Sequence, residues 1–194
     1  DTVGRLNAEK RGTLIGEFSG DDKILQIYAN GEFRLTGYDL STHFDDDMTQ
    51  IIKFDPSTVF SVIYIEGETK LMYIKRFEID EDTPLNKRIS FIGEHKDAKF
   101  LVLNMDMLPR LLLKFKDSPS GKQYEDEEVN VAQYIGVKSY KAKGKRLSTH
   151  DVASYDFLEP FEPVEEEIVD EQLDESGQDN ENEDDITSFN NGSD

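Results

Sequence analysis

The stretch KILQIYANGEFRLTGYDLSTH, residues 23–43, reads as a β-hairpin, and the rest of the chain is organised around variants of it. Two runs of alternating apolar residues flank Asn30-Gly31, a strong local signal for two antiparallel strands. Cross-strand partners share a face, so the side chains select the turn. A two-residue loop would set Ile27 opposite Arg34 and mix the faces. A three-residue loop of Ala29, Asn30 and Gly31 pairs Ile27 with Phe33 and Leu25 with Leu35, and leaves Gln26 with Arg34 on the other side. The expected turn is therefore type I with a G1 bulge, Gly31 taking the left-handed region.

The motif returns. Leu40-Ser41-Thr42-His43 recurs as Leu147-Ser148-Thr149-His150, an offset of 107 residues that also carries Gln26 onto Gln133, Phe33 onto Tyr140, Arg34 onto Lys141 and Gly37 onto Gly144. Two further strand pairs lie between: 59–65 returning as 71–79 around Glu66-Gly67-Glu68, and 100–105 returning as 110–116 around 106–109. Gly31 to Gly67 is 36 residues, about a third of 107, so four units of one period are expected near 5–44, 45–84, 85–124 and 125–158. The middle units (FSVIYI, LMYI, FLVLNM, LLLKF) are apolar on both strand faces, which predicts cover on both sides. Short strands at fixed period, linked by turns rich in Asp, Pro and Ser, fit a radial, propeller-like array of small sheets.

Charge divides the chain. From Phe161 onward there are 14 acids and no Lys or Arg, which leaves 28 acids against all 22 cations in residues 1–160, a net −6 out of −20. A body of about 160 residues can bury a self-supporting core. The segment 161–194 holds too few apolar residues to offset its ordering entropy and reads as a disordered acidic tail. Two roles stay open for it, a solubility tail or a polyanion that competes for a basic surface at high local concentration. There is no cysteine, hence no disulfide and no thiolate metal site. No apolar run approaches a membrane span, and the cytoplasm is the expected compartment. The chain opens at Asp1 rather than Met, as a piece of a longer chain would.

Lys10-Arg11-Gly12 with LIGEF, then GDDKILQIYANGEFRLTGYDLSTHF, and finally YIGVKSYKAKGKRLS resemble the C-terminal domain of the A subunit of bacterial type IIA topoisomerases, nearer topoisomerase IV than gyrase. The resemblance implies a β-pinwheel of repeated four-stranded blades whose basic perimeter bends or wraps duplex DNA. It implies strand cleavage by a tyrosine in an upstream domain. It also implies partners in the rest of the A subunit and the ATPase B subunit of a heterotetramer, with ATP and Mg²⁺ used elsewhere in that enzyme, no cofactor in this domain, and association with the nucleoid. Gyrase A subunits carry a Gln-Arg-Arg-Gly-Gly-x-Gly box. Neither Glu9-Lys10-Arg11-Gly12-Thr13 nor Lys141-Ala142-Lys143-Gly144-Lys145 reproduces it, which favours decatenation and relaxation over gyrase-like wrapping.

The residues support a polyanion partner independently. Lys138, Lys141, Lys143, Lys145 and Arg146 place five cations within nine residues. On an extended strand Lys141, Lys143 and Lys145 would share a face at roughly 6.6–7 Å intervals, comparable with phosphate spacing along one DNA strand. Gly144 would let the backbone approach a phosphate. The competing explanation is an edge strand guarded by lysines. Lys10 and Arg11 form a second candidate clamp, and Lys114 and Lys116 a continuation of the track. Lys75 and Arg76 are adjacent, so at most one should reach DNA. Without a recognition helix or interleaved aromatics, readout should be of backbone and deformability. Ser148, His150 and Asp151 are triad residue types, but the repeat in Ser41-Thr42-His43 marks a structural corner in which Ser or Thr bonds the backbone. Asp45-Asp46-Asp47 reads as a solvated turn rather than a cation site, and His95 as an exposed loop residue. No nucleophile and base converge, and no Walker signature is present. The rival class is a propeller-like protein-interaction module that uses the acidic tail.

Overall fold

The computed structural model describes residues 5–9 and 12–163. Lys10, Arg11 and all of the expected acidic tail from Val164 lie outside the described residues. The strands run β1 (Ile24–Tyr28), β2 (Glu32–Thr36), β3 (Met48–Lys53), β4 (Phe60–Ile65), β5 (Met72–Glu78), β6 (Ile89–Ser90), β7 (Lys99–Asn104), β8 (Arg110–Phe115), β9 (Glu127–Asn130), β10 (Val137–Ser139), β11 (Lys145–Arg146) and β12 (Val152–Leu158). One helical turn, α1 (Val131–Tyr134), separates β9 from β10. The fold is all-β, as expected.

The opening hairpin has the register its side chains demand. Ile27 faces Phe33, Leu25 faces Leu35 and Gln26 faces Arg34. Gly31 turns the corner at φ +81°, its amide donating to the Tyr28 carbonyl at 3.1 Å. β3 and β6 complete a four-stranded sheet in the order β3-β1-β2-β6. The second hairpin also forms as expected, Ile65 opposite Met72, and closes through the Glu66 and Leu71 backbones.

The expected third hairpin does not form. β7 pairs with β4, whereas β8 pairs with β9 and β12 in another sheet, so 106–109 is a crossover. β4 is buried along nearly its whole length and needs a neighbour on each edge, which β5 and β7 supply. At the start of the crossover, Asp106 bonds back to the Asn104 side chain at the end of β7 instead of to a facing strand, and Pro109 has no amide to offer.

The fourth unit departs further. Gln133 lies on α1, whose first turn is capped by Asn130, and 137–146 adds to the edge of β5 as β10 and β11. The 36-residue period thus marks where strands fall but not which sheet they join. β3 and β6 both complete the first hairpin's sheet from neighbouring units, and among the described residues the strands gather into three sheets rather than four.

Two cores explain the doubly apolar β4 and β5, whereas β8 is covered on one face only: Leu111 and Leu113 are buried, Leu112 only partly so and Lys114 exposed. Phe60, Val62 and Tyr64 of β4 pack with Leu25, Ile27, Phe33 and Leu35 on one side. Ile63 and Ile74 pack with Leu111, Leu113, Val129 and Leu147 on the other. Alternation along β4 and β5 therefore feeds both faces of the central sheet, as the cover expected on both sides requires. Tyr140 joins the first core with its ring edge against Phe33 at 5.3 Å, so two positions matched by the 107-residue offset touch each other.

Candidate nucleic-acid interface

The basic segment is not a continuous strand. β10 runs parallel to β5, with Val137 opposite Arg76, and β11 runs antiparallel to it, with Lys145 opposite Ile74. Between them 140–144 fold back in a loop. Ala142 donates to the Ser139 carbonyl at 2.9 Å, and Gly144 sits at φ +85°. Two donors from the central sheet hold the loop from inside. Lys75 Nζ donates to the Tyr140 and Ala142 carbonyls at 2.5 and 2.8 Å, and the Tyr64 hydroxyl donates to the Lys143 carbonyl.

The expectation that Lys141, Lys143 and Lys145 share one strand face is corrected, since the first two belong to a loop. The role expected of Gly144 is corrected as well. Its backbone approaches β5 rather than a ligand, and a Cβ there would lie 2.5 Å from the Ile74 carbonyl oxygen.

Exposure nevertheless follows from this arrangement. Lys141 and Lys143 are exposed because the loop's carbonyls rather than its lysines are turned to the protein, and Lys138 on β10 and Lys145 on β11 are exposed beside them. Three of these ammonium groups lie over tyrosine rings: Lys141 over Tyr140, Lys143 over Tyr73, and Lys145 over Tyr134 at 3.7 Å. Such contacts steady long side chains near the surface. Lys143 is also paired with Glu66 at 3.2 Å and Glu68 at 3.7 Å, which raises its pKa. Bonds from the Thr69 amide and hydroxyl pull the Glu66 carboxyl down to about 2.

The remaining candidates separate. Arg146 is half-buried and donates to the Thr149 carbonyl at 3.1 Å, so its guanidinium braces the following corner. Lys114 and Lys116 are exposed on and just after β8 in the third sheet, Lys114 paired with Asp126 at 3.6 Å. Lys75 and Arg76 are both buried, so neither is offered to a partner. Burial lowers both pKa values, that of Lys75 to about 8.

The loop forms one wall of a groove of about 1070 Å³, with the 66–68 turn and the 87–98 segment around it. This brings Lys87 and Lys96, both exposed, to the same groove as Lys141 and Lys143. Neither stands out in the sequence; a lysine in Asn86-Lys87-Arg88 or His95-Lys96-Asp97 carries no signal of what lies opposite.

Other clusters are accounted for internally. Asp45 and Asp47 are counter-ions, Asp45 to Arg34 at 3.2 Å and Asp47 to Arg88 at 2.6 Å, and Arg88 lies 3.6 Å above the Tyr28 ring. Ser148 Oγ accepts from the His150 amide at 3.1 Å, the expected corner, while His150 stacks on Tyr124. At the matching first corner Asp39, not Ser or Thr, takes that role by accepting from the Ser41 amide and hydroxyl. His95 is exposed, with Nδ1 accepting from the Asp97 amide at 3.2 Å.

The described residues thus form an all-β domain whose basic loop is braced from inside by Lys75 and Tyr64. The family model for the topoisomerase C-terminal domain of Bacteroidota matches residues 5–159, and the chain belongs to that family. A solved structure, the C-terminal domain of DNA topoisomerase IV, is similar at a TM-score of 0.48 and 14% identity, over 71% of this chain and 47% of that one. The chain thus spans about half the length of that solved domain. No curated protein matches the chain. Among the described residues no helix is long and apolar enough to cross a membrane.

Proposed function

We propose that this topoisomerase accessory domain binds duplex DNA without sequence preference and bends it. On this reading it guides segments into strand passage, in decatenation and relaxation, that other domains of the A subunit and the ATPase B subunit carry out. ATP and Mg²⁺ serve those other parts, and the enzyme works on the nucleoid in the cytoplasm. The observation that supports the reading is the braced loop with its flanking strands, where Lys141 and Lys143 on the loop, Lys138 on β10 and Lys145 on β11 are all exposed in a chain of this family. Contacts from lysine ammonium groups on a loop fit phosphates rather than base edges.

The test is a titration of unrelated duplexes of equal length over a salt series. Affinity should be nearly the same for all sequences and fall with salt as about 0.9 ion per phosphate contacted. Replacing Lys138 and Lys141 by Ala should lower the slope by about one ion each. Flat affinity between low and moderate salt refutes the proposal. Bending is read separately, by end-to-end energy transfer in a doubly labelled duplex.

A further inference from the structure

Lys75 is 3% exposed, and among the described residues no carboxylate pairs with it. It lies at the middle of β5, near the rings of Tyr64 and Phe77. A buried charge without a counter-charge is costly, and apolar replacement of such groups is often neutral or stabilising. What this ammonium touches instead is the basic loop. Two of its three N–H groups go to the Tyr140 and Ala142 carbonyls, and the neighbouring Tyr64 hydroxyl takes the carbonyl of Lys143. Gly144 then presses the next peptide against Ile74. Three loop carbonyls are gathered inward as a bound cation would gather them.

We propose that Lys75 is a positioning residue for DNA binding: with the Tyr64 hydroxyl it holds the 140–144 loop in the shape that turns Lys141 and Lys143 outward, and it never touches DNA itself. The inference rests on the DNA-binding reading of that loop and adds the residue that shapes it. A residue kept for stability and a residue kept for position make different predictions. Lys75→Met fills the same space and removes the buried charge, but leaves two carbonyls without their donor. Global stability should hold or rise while the loop loosens.

The experiment compares the whole chain with Lys75→Met and with Tyr64→Phe, which deletes the hydroxyl without altering charge and serves if Lys75→Met does not fold. Three quantities are read: the urea midpoint, amide hydrogen exchange across 140–145, and duplex affinity over a salt series. For Lys75→Met the midpoint should be unchanged or higher and loop exchange faster by about tenfold. Affinity at low salt should fall about 3–10-fold, with a slope lower by about one to two ions, as expected when Lys141 and Lys143 no longer reach their phosphates. Tyr64→Phe should move exchange and affinity the same way by less. Unchanged loop exchange in both variants overturns the inference, as does faster exchange with wild-type affinity and slope. An affinity loss that merely tracks a lowered midpoint also overturns it. A Lys138→Ala, Lys141→Ala double variant separates the two levels. If it binds as wild type, the DNA-binding reading itself fails; if it weakens while Lys75→Met and Tyr64→Phe do not, only the positioning role fails.

Discussion

Gly144→Ala tests whether the basic loop is held by close backbone approach. Two glycines provide an internal comparison, Gly144 at φ +85° and Gly121 at φ +80°. An alanine at either site meets the same intrinsic penalty, about 1–2 kcal/mol for a side chain in the left-handed region. Their surroundings differ. Nothing lies within 4 Å of a Cβ built on Gly121, whereas one on Gly144 would sit 2.5 Å from the Ile74 carbonyl oxygen and 2.9 Å from Lys75 Cβ. Those neighbours are backbone and the root of a buried side chain in the middle of β5, so neither can yield cheaply. Overpacking of this kind costs about 1–3 kcal/mol. Gly144→Ala should therefore lose about 2 kcal/mol more than Gly121→Ala. For a domain of this size the difference corresponds to a further drop of about 4–8 °C in Tm. Urea unfolding of both variants measures it, with amide exchange over 140–147 showing whether the loop detaches first. Equal losses, within about 0.5 kcal/mol, would refute the packing of the loop on β5.

Two other outcomes follow from the same site. Glu66→Gln should remove the nearer of the two carboxylates beside Lys143, Glu68 staying at 3.7 Å, while leaving an oxygen for Thr69, so duplex affinity at low salt should rise up to about fivefold, the range of a partly exposed ion pair; unchanged affinity and salt slope would show that Lys143 does not reach the DNA. Stability should rise with pH above about 8: the folded state gives up the Lys75 proton there while the unfolded chain keeps it until 10.5, so the unfolded state binds more protons. The gain is at most about 2–3 kcal/mol by pH 10. It reverses beyond that, where unfolded tyrosine ionises and Tyr64, raised to about 12 by burial, does not. Denaturant midpoints from pH 7 to 11 should trace this maximum, and Lys75→Met should remove the rising limb.

The first hairpin was legible because its register is overdetermined. Asn30-Gly31 names the turn, and the alternation of Leu25, Ile27, Phe33 and Leu35 permits one pairing. Strands β4 and β5 were legible as covered on two sides for a similar reason, but β8 was not, since Leu111 and Leu113 are buried while Leu112 between them is only partly so. Sheet membership was not. Nothing local to 100–105 says whether it turns back on 110–116 or crosses to β4, since both choices bury the same residues and only the needs of β4 decide. The basic loop misled in the same way. Lys141-Ala142-Lys143-Gly144-Lys145 has perfect strand alternation, but the donors that bend it, Tyr64 and Lys75, lie about seventy residues earlier.

Lys75 and Arg76 show why counting cations in a sequence is a poor guide to a polyanion surface. Side chains of adjacent strand residues leave on opposite faces. One dipeptide on β5 therefore reaches two loops, Lys75 the carbonyls of Tyr140 and Ala142, Arg76 the carbonyl of Met107 in the β7–β8 crossover at 2.9 Å. Both loops lack a strand partner for those oxygens, and an apolar side chain could not supply one. Charged donors make stronger bonds to carbonyls than neutral donors do, which offsets part of the cost of burying them. Arg34, Arg88 and Arg146 are likewise engaged, two with carboxylates and one with a corner. In this body the arginines tend to be structural, and the cations left at the surface of the braced loop are lysines. Lysine is the strongly hydrated point charge of the two, without the planar fork of arginine. On the proposed DNA-binding reading, a lysine-rich loop held by carbonyl capture should contact phosphates irrespective of sequence, and equal affinity for unrelated duplexes is the outcome that bears on it.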